Sequence, residues 1–170
     1  MDLKIGYSLA LLLIFIKIDA IIYTKLDLFG DEAQYWFWSQ NLNLGYYSKP
    51  PLLAWIIRFF TSIFGDTFEA LKLIPFFIYF LSSFVVYLIT LTLFQEKNLA
   101  VLTSLSFYML PSVTLSSFIL STDVILIFFW LLSLLAFLKI RSNPKKINFF
   151  LLGIFLGLSF FAYGAYIPAK

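Results

Sequence analysis

The sequence contains neither cysteine nor histidine. Without cysteine there is no disulfide framework, no thiol nucleophile and no thiolate metal site, and the redox compartment goes unread. Without histidine the chain lacks the commonest metal ligand and the commonest general base at neutral pH. Charge is scarce as well: 12% of the 170 residues are charged, against about a quarter in an ordinary soluble domain. Proton transfer would fall to nine carboxylates, the lysines and the tyrosines. The net charge of +3 is small, and no nucleic-acid partner is expected.

Apolar residues fill the space that charge leaves. The chain is 62% hydrophobic and 21% aromatic, with a mean hydropathy of +0.95. So few polar groups cannot cover a surface against water, so the covering must be lipid. The expected fold class is all-α, a polytopic membrane helical bundle of about five transmembrane helices. The expected spans are 5–23, 71–94, 99–120, 124–140 and 147–167, with an outer loop over 24–70. Ile5 to Tyr23, interrupted only by Lys17 and Asp19, covers about 28 Å, close to the hydrocarbon thickness. No small-x-small cleavage site follows it, so an uncleaved helix is the better reading than a signal peptide. The stretch 99–140 would reach about 63 Å as one helix, so a turn must fall near Ser121, Thr122 and Asp123.

Lys139, Arg141, Lys145 and Lys146 share one short loop, the strongest positive-inside signal in the chain. Placing it in the cytoplasm puts Met1 inside, and the 24–70 loop and Asp123 outside. Lys25, Lys49, Arg58 and Lys72 dilute that asymmetry.

The 24–70 loop is the one segment long enough to hold a site. It carries Trp36, Trp38 and Trp55 with Tyr35, Tyr46 and Tyr47, aromatics that favour the headgroup level. Pro50 and Pro51 open a helix whose Leu52, Leu53, Ile56, Ile57, Phe60, Ile63 and Phe64 form one stripe, opposite Arg58. At about 22 Å it is too short to span and is expected to lie in the interface, stopped at Gly65. A second short helix is expected from Asp31, with Asp31, Gln34, Tyr35 and Trp38 on one face and Glu32 about 100° away. The expectation is a polar pocket roofed by interfacial helices beside the membrane lipids.

The run FGDEAQYWFWSQNLNLGYYSKPPLLAWIIRFFTSIFGD, Phe29 to Asp66, resembles the first outer loop of a bacterial family of GT-C-type membrane glycosyltransferases. These are related to protein O-mannosyltransferases and to the aminoarabinose transferase that modifies lipid A. STDVILIFFW resembles a later signature of the family, an aspartate opening the fourth span. The resemblance implies sugar transfer, with inversion, from a polyprenyl-phosphate-linked donor to a lipid A, glycan or protein acceptor on the outer face of the inner membrane. It implies Asp31 as catalytic base or acceptor-positioning group, Asp123 as a second carboxylate, and Lys49 facing the donor phosphate. Glu32, Lys49, Tyr35 and Tyr47 are the candidate substrate-binding residues. A carboxylate can take a hydroxyl proton and a cation can neutralise a leaving phosphate.

One position departs from the pattern. Some relatives carry an acidic metal ligand just before the lysine, where this chain has Ser48. No metal site is therefore assigned, and use of a divalent metal is left open.

Plainer readings stand beside these. Asp31 and Asp123 could simply cap helices, Glu32 could be a solvated first-turn acid, and Lys49 could snorkel. Lys17 and Asp19 are expected to snorkel or to pair, and Gly153 and Gly157 to pack a neighbouring helix closely. The chain closes as the fifth span reaches the outer surface, so it is expected to be the N-terminal part of the family's transmembrane domain. The alternatives are a truncated, non-catalytic membrane subunit or part of a transporter.

Overall fold

The computed structural model describes residues 3–23, 27–47 and 49–163, and all of its regular structure is helical. In chain order the helices are α1 (Leu3–Tyr23), α2 (Gly30–Gln40), α3 (Leu52–Phe64), α4 (Phe68–Phe94), α5 (Lys97–Met109), α6 (Pro111–Ser116), α7 (Thr122–Ser142) and α8 (Lys146–Tyr163). The readings that fell on Met1, Lys25, Ser48 and the end of the fifth span lie outside the described residues.

Helices α4 and α7 are long and apolar enough to cross a bilayer. Helix α4 starts three residues earlier than the hydropathy suggested, because the Thr67 hydroxyl accepts from the Ala70 amide at 3.2 Å and caps it. In α7, Asp123 occupies the first turn while Lys139 and Arg141 occupy the last, both favoured by the helix dipole. Helix α1, at 21 residues, reaches about 31 Å.

The stretch expected as a single third span is broken. Pro111 disfavours the helical conformation at Leu110, whose ψ is 132°, so α5 ends at Met109 and α6 begins anew. Helix α5 alone reaches about 20 Å, short of the hydrocarbon core. The break leaves the Tyr108 carbonyl without its helical donor. Lys17 Nζ at 3.2 Å and Thr114 Oγ1 at 3.4 Å supply it. Lys17 therefore turns inward and is buried, where it was expected to snorkel or to pair with Asp19.

Helix α4 is central, packed against α5 and α7, while α8 lies on α7 and α1 on α5. Hydroxyl pairs join α4 to α5: Ser83 to Ser104 at 2.9 Å and Thr90 to Thr103 at 2.8 Å. Ser82 and Ser133 return their hydroxyls to the carbonyls four residues back, so these buried polar groups are satisfied without water.

The main core lies at one end of the bundle. Leu53 and Ile57 of α3, Ile74, Phe76 and Tyr79 of α4, and Leu120, Val124 and Ile125 beside the start of α7 pack there. Elsewhere large apolar side chains face outward, among them Leu11 and Phe15 of α1, Phe84 of α4 and Phe160 of α8. Apolar exposure on that scale needs a lipid surround, and the chain is a membrane helical bundle.

Two sequence expectations shift. In α3 the buried residues are Leu52, Leu53, Ala54, Ile57 and Thr61, while Ile63 and Phe64 at the far end of the expected stripe are exposed. Gly153 and Gly157 face open space, with nothing within 4 Å of a Cβ placed on either, so they pack no helix among the described residues.

Candidate active site

Helices α2 and α3 and the turn between them form a cap over the core end of the bundle. Gly65, at φ 86°, lets the chain reverse after α3; its amide closes on the Thr61 carbonyl at 2.9 Å. One residue on, Asp66 Oδ1 accepts from the Trp36 indole at 3.2 Å, tying the end of the loop back to α2. In the turn, Tyr46 stacks on Trp38 with ring centres 5.0 Å apart, and its hydroxyl lies 3.0 Å from the Trp38 carbonyl and 3.1 Å from that of Asn41. The Trp55 indole donates to the Asn43 carbonyl at 3.1 Å. The aromatic residues of this loop thus hold its shape.

Within that frame α2 splits the two neighbouring acids. Glu32, Tyr35 and Ser39 are buried, and Asp31 and Gln34 are exposed. Asp31 is not the cap of α2: that position belongs to Phe29, whose amide donates to Glu32 Oε2 at 2.9 Å. Asp123, in the first turn of α7, is also exposed.

Tyr35 relates the two aspartates. Burial pushes its phenol above the ordinary value, and the negative charges of Asp31 and Asp123 push it further. Both carboxylates thus raise the same buried phenol, although 92 positions separate them (123 − 31). Tyr79 of α4 also borders this group; it makes a side-chain hydrogen bond with Ser116 and feels the charge of Asp123. The site so formed has two water-accessible carboxylates, at the starts of α2 and α7, and a buried phenol that retains its proton.

Glu32 sits differently. It is fully buried, its Oε2 meets Lys72 Nζ at 2.6 Å, and its Oε1 accepts from the Leu120 amide at 2.6 Å. Both oxygens are engaged by the protein itself. Lys49 is half-buried and its carbonyl accepts from the Tyr46 amide at 3.1 Å, while Tyr47 is 81% exposed at the outer side of the turn. The two flank the aromatic turn. No group of three potential metal ligands forms among the described residues.

Lys72, Tyr79 and Ser116 were not among the candidate site residues read from the sequence. For Lys72 a signal existed: an ionisable residue in the first turns of an apolar helix must find a partner. For Tyr79 and Ser116 there was none, because only packing sets them beside Asp123.

Residues 48–168 match the family of dolichyl-phosphate-mannose-protein mannosyltransferases. The match covers well over half of the chain. The chain belongs to this family. That membership agrees with the GT-C resemblance of the outer loop. The lipid A galacturonosyltransferase RgtD of Rhizobium johnstonii is 40% identical over 139 residues, 81% of this chain. This chain spans 29% of the length of that relative. No solved structure matches.

Proposed function

We propose that the chain is the N-terminal part of a membrane glycosyltransferase. The full protein would transfer a sugar from a polyprenyl-phosphate-linked donor to a lipid A or other glycan acceptor at the outer face of the inner membrane. The observation that carries this reading is that exposed Asp31 and Asp123 sit at the starts of α2 and α7, which the Glu32 carboxylate joins through the Phe29 and Leu120 amides. Family membership supplies the reaction class, and the name of the galacturonosyltransferase relative supplies the acceptor class.

The chemistry assigns roles. Asp31 accepts the proton of the acceptor hydroxyl as its oxygen attacks the anomeric carbon. The bond from that carbon to the phosphate oxygen breaks, and the polyprenyl phosphate leaves with the electron pair. Attack from the face opposite the phosphate inverts the centre. Asp123 orients the acceptor or the sugar, and Tyr35 stays neutral under the two negative charges. Lys49, on the turn between α2 and α3, compensates the departing phosphate charge, with Tyr47 beside it.

The proposed orientation places the N-terminus and the Lys139–Lys146 loop in the cytoplasm and α2, α3 and Asp123 outside. The cluster of Lys139, Arg141, Lys145 and Lys146 favours it.

The test is made in the full-length protein, following transfer from a radiolabelled polyprenyl-phosphate sugar in membranes. Asp31→Asn is expected to lower the rate by about 10²–10⁴-fold, the usual contribution of a general base. Asp31 is exposed, so the amount of folded protein should be unchanged. Full activity in Asp31→Asn would exclude the base role.

A further inference from the structure

We infer that Glu32 is a positioning residue whose carboxylate sets the spacing between Asp31 and Asp123, with Lys72 as its counter-ion. The inference rests on the transfer proposed above and deepens it.

Glu32 receives three donors from three parts of the fold. Phe29, ahead of α2, donates its amide at 2.9 Å; Lys72 of α4 approaches at 2.6 Å; Leu120 donates its amide at 2.6 Å. The last bond fixes the geometry of the site. Leu120 lies three residues before Asp123, in the short connection from α6 to α7, and Glu32 is the neighbour of Asp31. One side chain thus pins the backbone that carries the first aspartate to the backbone that presents the second.

A buried carboxylate is tolerated only when paired and hydrogen-bonded, and here it is both. The charge is required by the donor count. Two amides and an ammonium converge on two oxygens, so an amide side chain would bring its own N–H against one of these donors. Solvent cannot substitute, because Glu32 is 0% and Lys72 5% exposed. The connection before α7 would then find no acceptor and would move. Displacement of a reacting group by about 1 Å can cost around 10²-fold in rate.

The experiment uses the full-length protein and two readouts. In the first, Glu32→Gln is expected to lower kcat by about 10- to 100-fold while KM for donor and acceptor stays within about threefold. Rates are taken per folded molecule, so a merely structural role would leave kcat unchanged, and that result would overturn the inference. The exchange Glu32→Lys with Lys72→Glu restores an ion pair but offers the Leu120 amide no acceptor at position 32. It is expected to regain thermal stability and not kcat; recovery of kcat would show that the pair alone matters and would overturn the inference.

The second readout needs no activity. Spin labels on Asp31→Cys and Asp123→Cys are expected to give one narrow distance distribution with Glu32 present, and a longer or broader one with Glu32→Gln. An unchanged distribution sinks the inference. Should Glu32→Gln not fold, Glu32→Asp is read in the same two ways, since it keeps the charge but is one methylene short of Leu120. If the wild-type protein transfers no sugar, the proposed function fails while the spin-label distance still decides the positioning role.

Discussion

Lys17 and Tyr108, 91 positions apart, meet in the apolar depth of the bundle: the ammonium donates to the Tyr108 carbonyl at 3.2 Å and stands 3.7 Å from the centre of the same residue's ring. The contact exists because Pro111 breaks the helix and strips that carbonyl of its donor. The cation is covered by protein, with a carbonyl and an aromatic face as its partners.

Lys17→Met keeps the length of the stem and removes the donor. The Tyr108 carbonyl then retains only the 3.4 Å contact from Thr114, too long to replace the bond. Leaving a buried acceptor largely unsatisfied costs about 1–3 kcal/mol, so the detergent-solubilised protein should melt at a lower temperature. An unchanged or higher Tm would show that dehydrating the ammonium costs as much as its two contacts return.

Tyr35 offers a test of the paired aspartates that needs no substrate. Its phenol is raised above the ordinary value of about 10, first by burial and then by the two negative charges. The sign follows from linkage. Below about pH 10 both the folded and the unfolded chain hold the proton, and the stability from the buried neutral phenol is complete. As the pH climbs through the raised folded value, that stability is lost. Asp31→Asn and Asp123→Asn should each move the titration of Tyr35 down, by removing one charge while leaving the burial. Phenolate absorbance, read as the difference from Tyr35→Phe in each background, checks this. A titration that moves with one aspartate and not the other would separate the pair.

The orientation is tested with single cysteines, since the chain has none of its own. Asn43 and Asn143 are both exposed, the first in the turn before α3 and the second after α7. Asn43→Cys in intact cells should react with an impermeant thiol reagent, and Asn143→Cys should react only after the membrane is opened. The reverse pattern would invert the proposed topology and place both candidate aspartates in the cytoplasm.

The sequence by itself determined the class of fold, because composition and the length of apolar runs depend on no long-range contact. It determined that 24–70 would be helical at Pro51 and would stop at Gly65, since prolines and a glycine impose those ends locally. It placed Asp123 in the first turn of α7, and through its ordered motifs it placed the chain in its family. It misjudged the third span, where the hydropathy of 99–120 reads as continuous but Pro111 restricts the backbone before it. Only the tertiary structure decided which of two adjacent acids would be buried. Asp31 and Glu32 are equally polar, and their 100° separation on α2 says that they diverge but not which one turns inward. That choice was made by Lys72 and the Leu120 amide, 40 and 88 positions away, because a buried carboxylate is stable only where distant donors converge on it.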